Sequence, residues 1–234
     1  MASGGAASGP GGLAFFTGVD GRPRRSRRCP APRRARSLVA GLSYWSSRIR
    51  AGIDGAAQIF AQFAASPEFA GVGEPIVRLY NGYFHRLPDP GGLRYWMDVA
   101  RRSGLGFVSA SFASSPEFTS TYGQLNDGAF VERVYLNVLG RASDPAGRSY
   151  WTGRLAHGLT RGGLMLAFTE SPEYRAATEA DAQVVMLYTG MLNRAPEPAG
   201  LQFWSSLRRA GQPLDGLVAG ILASSEYRIV HGLP

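Results

Sequence analysis

Apolar residues fall on a helical period along most of the chain, and the same pattern returns several times. Phe130, Val134 and Val138, with Val131, Tyr135 and Leu139 beside them, recur at i, i+4 and i+8 and define a wide apolar face. Ile76, Tyr80 and Phe84 repeat that face upstream, and Val184, Tyr188 and Leu192 repeat it downstream. The copy that starts near Asp127 shows the rest of the unit. Its first helix is predicted to end near Gly140-Arg141. Asp144-Pro145 then supplies a capping acceptor and a proline at the first helical position, opening a second helix with Tyr150, Trp151 and Leu155 that ends near Gly158. Thr160 caps a third helix bearing Leu164, Met165 and Phe168, and Ser171-Pro172-Glu173 opens a further short helix by the same logic. Asp89-Pro90 and Glu197-Pro198 correspond to Asp144-Pro145. Sustained alternation and hairpin turn pairs are missing, so the predicted fold class is all-α.

Two signatures turn this pattern into a tandem repeat. An aromatic pair recurs at Tyr44-Trp45, Tyr95-Trp96, Tyr150-Trp151 and Phe203-Trp204, at a period of roughly 50–55 residues. Each pair is followed by Ser66-Pro67-Glu68-Phe69, Ser115-Pro116-Glu117-Phe118, Ser171-Pro172-Glu173-Tyr174 or Ser224-Ser225-Glu226-Tyr227. Such units complete their cores against one another, giving a short packed array. The boundaries read from the pattern are a partial first copy at 41–70, then copies at 71–122, 123–178 and 179–231. The upstream half of the first copy is missing. Residues 1–40 are rich in Gly, Ser and Ala and then in Arg and Pro, with no periodic apolar face. Such a segment is expected to lack fixed structure, because burial cannot offset its ordering entropy. A basic arm for nucleic acid or an anionic surface is the functional alternative, and translation of an unrelated reading frame is a third.

Charge narrows the choice of partner. The net +8 comes from the front of the chain, where eight arginines lie between Arg22 and Arg36. From Ser37 onward 17 arginines face 16 acids, and the chain has no lysine. The nearly neutral body gives no support for a nucleic-acid groove. Cys29 is the only cysteine, and His85, His157 and His231 are scattered, so neither an internal disulfide nor a thiolate or histidine metal site is expected. No run of about 18 apolar residues crosses a membrane. The start lacks the basic and then apolar order of a conventional secretory signal.

The recurring polar and aromatic positions are the candidate site residues. Trp45, Trp96, Trp151 and Trp204 suit sugar stacking, but their fixed place in every copy points first to repeat cores. Arg86 with Asp89, Arg141 with Asp144, and Arg194 with Glu197 read as a basic helix end followed by a capping acid, each complementing a helix dipole. Glu68, Glu117, Glu173 and Glu226 sit in first helical turns, where dipole complementarity explains them better than a calcium site that would need several oxygens at one point. Sequence motifs for a serine nucleophile, a phosphate loop or a zinc protease are missing. No catalytic constellation stands apart from the repeat, no cofactor is implied, and the chain is not expected to be an enzyme.

At Leu79-Tyr80, Arg86-Leu87-Pro88-Asp89, Gly92-Leu93, Tyr95-Trp96 and Ser115-Pro116-Glu117-Phe118 the chain resembles the bacterial domain-of-unknown-function family 4214. Val134-Tyr135, Gly140-Arg141, Asp144, Gly147, Tyr150-Trp151 and Ser171-Pro172-Glu173-Tyr174 continue the resemblance. So do Leu187-Tyr188, Arg194-Ala195-Pro196-Glu197, Gly200-Leu201, Phe203-Trp204 and Ser224-Ser225-Glu226-Tyr227. The chain departs from the family pattern at Arg148, where leucine is usual, and at Glu197, where aspartate is usual. The resemblance implies a secreted or surface-associated setting and a distant similarity to the helical linker domains of phycobilisomes. The expected function is a non-catalytic helical repeat module that contacts protein or glycan. The alternative is an accessory domain of a bacterial enzyme whose catalytic part lies elsewhere.

Overall fold

The computed structural model describes residues 47, 55–64 and 66–232. The expectations for residues 1–40 and for Trp45 lie outside the described residues, as does the side chain of Glu68. Among the described residues the secondary structure is helical throughout, in the order α1 Ala56–Ala64, α2 Pro67–Phe84, α3 Pro90–Ala113, α4 Pro116–Tyr122, α5 Asp127–Leu139 and α6 Pro145–Ala156. It continues through α7 Arg161–Thr169, α8 Pro172–Leu192, α9 Pro198–Arg209, α10 Leu214–Ala223 and α11 Ser225–His231.

Side-chain oxygens cap most of these helices. Ser66, Ser115, Ser171 and Ser224 accept from the backbone N of Phe69, Phe118, Tyr174 and Tyr227 at 3.1–3.2 Å. Thr160 accepts from Gly163 N at 3.0 Å, and Asn126 from Ala129 N at 2.9 Å. Left-handed residues close α2 and α5, with φ 52° at His85 and 67° at Gly140.

The short Ser-Pro-Glu helix expected in each copy is short only at α4 and α11. After Ser66 and Ser171 it runs straight on into the first helix of the next copy, giving the 18 residues of α2 and the 21 of α8. The physical difference lies in the next stretch of chain. Beyond α4 a loop leads to Asn126, which caps a new helix. The stretches after Glu68 and Glu173 carry no capping residue that is used, and Pro75 is accommodated inside α2. The second and third helices of copy 2 likewise merge in α3, bending at Gly104, where φ is 81°.

The copies do not pack in chain order. Copies 2 and 3 meet through their third helices, the end of α3 against α7. A Cβ at Gly162 would stand 3.3 Å from Ala110 Cα and from Ala113 Cβ, so glycine lets the helices approach without a shift. Copies 2 and 4 meet through α2 and α8. Asn81 near the end of α2 donates to Tyr174 Oη near the start of α8 at 2.9 Å, while Phe69 at the start of α2 faces Gly190 near the end of α8. The two helices are therefore antiparallel. Finally α1, the third helix of copy 1, packs on α10, the third helix of copy 4, with Ala57, Ala61 and Ala64 joining the cluster of Leu217, Val218 and Ile221. The spatial order is 3, 2, 4, 1.

This order explains the departure at Arg148. Val77 and Val185 are buried in copies 2 and 4, and Glu132 holds their position in copy 3. Leu93 and Met97 of copy 2 are buried in the main core, and in copy 3 their places are taken by exposed Arg148 and by Thr152. The α6 helix accordingly has no buried residue. Copy 3 ends the array, and a terminal repeat needs a polar outer face to remain in solution. The combined substitution Glu132→Val, Arg148→Leu and Thr152→Met restores the apolar set of copy 2 on an uncovered face. Sedimentation velocity should show concentration-dependent self-association of this variant beyond that of the native chain. Unchanged sedimentation would mean that this face is not a pairing surface kept polar.

Candidate functional site

The repeated motif residues converge on one tyrosine in each full copy. Tyr80, Tyr135 and Tyr188 project from the first helices, with only 5 % of each exposed. The guanidinium carbons of Arg86, Arg141 and Arg194 lie 5.2, 5.2 and 5.0 Å from the centroids of these rings. Each guanidinium then forks onto a glutamate 31 or 32 residues further along. Arg86 Nε and Nη2 donate to Glu117 at 2.8 and 3.0 Å, and Arg141 donates to Glu173 at 3.1 Å through both nitrogens. Arg194 makes the same two-pronged contact with Glu226. The bidentate geometry fixes the Ser-Pro-Glu helix against the end of the first helix.

The tyrosine hydroxyl also explains the glycine of the motif. A Cβ added at Gly92, Gly147 or Gly200 would meet Tyr80, Tyr135 or Tyr188 Oη at 2.7, 2.4 or 2.8 Å. The second helix thus comes down onto the hydroxyl where it lacks a side chain. Trp204 Nε1 donates to Tyr188 Oη at 3.0 Å. Burial pushes the pKa of Tyr80 and of Tyr188 above the ordinary phenol value, keeping both rings neutral.

Asp89 and Asp144 accept from Gly92 N and Gly147 N at 2.9 and 2.8 Å, capping α3 and α6. Those backbone bonds hold both carboxyls below their usual range. Glu197 differs, because it makes no side-chain cap bond to α9 and reaches back to Arg194 instead. The extra methylene carries its carboxylate past the amides. The acid three residues on therefore acts as a cap in copies 2 and 3 and pairs with its arginine only in Arg194 with Glu197. In all three copies the arginine's main partner is the distant glutamate, whose pKa the guanidinium bonds, first among its causes, hold below the ordinary carboxylate value. Both charges of a pair recur in every full copy, and that joint recurrence is the one sequence signal that links them.

The tryptophans were expected to be almost inaccessible, but Trp96, Trp151 and Trp204 are only partly buried. One side of each packs inward, on Phe112 at 4.9 Å, on Phe168 at 5.2 Å, or over Gly220. The preceding ring meets the indole edge-on at 5.0 Å in all three copies. Those preceding rings are the exposed ones: Tyr95 is 59 %, Tyr150 53 % and Phe203 58 % accessible. Helical spacing makes this intelligible, since adjacent residues point about 100° apart and cannot both face the core.

Outside these sites, copies 2 and 3 are joined by a charge pair whose arginine is buried. Arg78, 3 % exposed, donates to both oxygens of Glu170 at 2.8 and 2.9 Å and also engages Glu74. Tyr83, fully buried, donates to Ser109 O at 2.9 Å and lies within bonding reach of Gly162 O. Among the described residues no group of three or more His, Cys, Asp or Glu side chains is placed to hold a metal ion. None of the described helices is long and apolar enough to cross a membrane.

These features define a tandem helical repeat whose consensus is spent on docking one helix to the next. Residues 109–178 match the family model described as Domain of unknown function (DUF4214). The matched segment runs from the end of α3 to the early part of α8 and contains the complete Tyr135, Arg141, Asp144, Gly147, Trp151 and Glu173 set. Comparison with curated proteins and with solved structures finds no match.

Two alanine substitutions in one helix test this reading of the motif. At Gly153 nothing lies within 4 Å of an added Cβ, so Gly153→Ala should stabilise by about 0.5–1 kcal/mol through helix propensity. Gly147→Ala drives a methyl into Tyr135 and should destabilise by about 1–3 kcal/mol. Chemical denaturation measures both, and equal signs would contradict the docking role of Gly147.

Proposed function

We propose that the chain is a non-catalytic helical repeat module that binds an extended glycan or protein partner, and that the repeated exposed rings are its contact surface. The observation that supports this is the recurrence of Tyr95, Tyr150 and Phe203. More than half of each is exposed, at the same place in three copies and in the same edge-on contact with an indole. Solvent exposure of one large aromatic side chain in every full copy has no packing rationale. A ring braced by its neighbour loses little freedom on binding, and its face suits the apolar side of a sugar or an apolar side chain. One ring per copy suits a partner with its own repeat, such as a polysaccharide. The secreted or surface setting implied by the family resemblance fits such a partner.

The reading assigns the polar consensus to structure. Asp89 and Asp144 are occupied by backbone amides, and Glu117, Glu173 and Glu226 by arginines. None of these is left as a free acid for general acid–base work.

Affinity electrophoresis of the full chain through gels containing soluble bacterial polysaccharides, paired with cross-linking to surface proteins, tests the proposal. The variant Tyr95→Ala, Tyr150→Ala, Phe203→Ala should lose retardation or cross-linking at least tenfold while its melting temperature stays within a few degrees of native. Full binding by this variant would remove the rings from the function.

A further inference from the structure

The antiparallel α2–α8 pair that joins copies 2 and 4 has two ends built from equivalent residues, and they differ. At one end Tyr174 accepts from Asn81, and Thr169 Cγ2 fills the space over Gly82, where an added Cβ would meet it at 2.5 Å. At the other end Phe69 stands in place of Tyr174, Thr189 in place of Asn81, Gly190 in place of Gly82 and Ala64 in place of Thr169. The hydroxyl and the methyl that close the first end are both missing. A Cβ at Gly190 would meet only Phe69 Cζ, at 4.0 Å. The Thr189 hydroxyl, buried, has no hydrogen-bond partner, in keeping with the loss of the tyrosine oxygen.

The result is a cavity of about 460 Å³, within the range of small-molecule sites. Its apolar wall is formed by Phe69, Leu93, Met97 and Met186, the last three buried. Two methionines give that wall an adaptable surface. Arg94 stands at its mouth and donates to Asn193 Oδ1 at 3.0 Å. Among the described residues no carboxylate pairs with Arg94, whereas the other cations and anions of the mouth, Arg101 and Asp98, pair with each other at 2.9 Å. At Arg94's place in the next copies stand Ser149 and Gln202, so this cation belongs to the cavity and not to the repeat consensus.

We propose that this cavity is a binding site for a small amphipathic carboxylate, its apolar body against Phe69, Leu93, Met97 and Met186 and its carboxylate on Arg94. The site is independent of the exposed rings, which lie on other positions of the second helices.

Octanoate and octanol serve as the probes, titrated into the full chain and followed by the methyl NMR signals of Met97 and Met186. Octanoate should shift both signals saturably and bind at least fivefold more tightly than octanol. Gly190→Leu, whose Cβ would meet only Phe69 Cζ at 4.0 Å and whose branch extends into the cavity, should weaken octanoate at least tenfold with the melting temperature retained. Arg94→Gln should remove the preference for octanoate over octanol and leave octanol affinity unchanged. Octanoate binding that survives Gly190→Leu would overturn the site. Equal affinity for acid and alcohol in the native chain would overturn the ligand class, and absence of saturable shifts would overturn both.

Discussion

The forked contact between an arginine and a distant glutamate, laid over a tyrosine ring, is the interaction on which the rest of each repeat depends. It ties the end of the first helix to the helix that follows the motif serine of the same copy, 31 or 32 residues later. The ring underneath is nearly buried, and its hydroxyl sets how closely the second helix approaches. That distance in turn demands a glycine at 92, 147 and 200. Exposed ion pairs usually contribute little because solvent screens them and two long side chains must be ordered. Here the ring and the two-point geometry restrict the arginine before the glutamate arrives, which reduces that ordering cost.

From this lock follows an array held by two kinds of junction. Third helices join copy 2 to copy 3 and copy 4 to copy 1, and the long helices α2 and α8 join copy 2 to copy 4. The arrangement 3, 2, 4, 1 leaves the first-helix side of copy 3 uncovered, and the chain answers with Glu132 where copies 2 and 4 carry buried valine, and with Arg148 where copy 2 carries buried Leu93. Identical copies would have left an apolar face open to other molecules. The same central junction is asymmetric at its two ends, sealed by Tyr174 and Thr169 at one and open beside Phe69 and Gly190 at the other.

Much of this was legible in the sequence because it is local. Helical class follows from the period of Phe130, Val134 and Val138, and the caps at Asp89, Asp144, Thr160 and the motif serines follow from residue type and the proline after them. What escaped is non-local. No rule of helical spacing connects Arg141 to Glu173, because the contact forms only after two turns of chain direction bring the elements together. The fusion of the Ser-Pro-Glu helices into α2 and α8 depends on the absence of a used cap, a weaker signal than the presence of one. The order of the copies is invisible to a repeat pattern, which says that neighbours exist and not which they are. For the aromatic pairs the repeat identified the right positions, but the exposed member is the ring before the tryptophan.

A double-mutant cycle on copy 2 separates the two acids that could partner Arg86. Arg86→Met combined with Glu117→Gln, and separately with Asp89→Asn, is followed by chemical denaturation of the full chain. The forked contact should give a favourable coupling between Arg86 and Glu117 of up to about 1 kcal/mol, weakening in high salt, with a coupling between Arg86 and Asp89 near zero. A coupling to Asp89 that equals or exceeds the coupling to Glu117 would contradict that pairing.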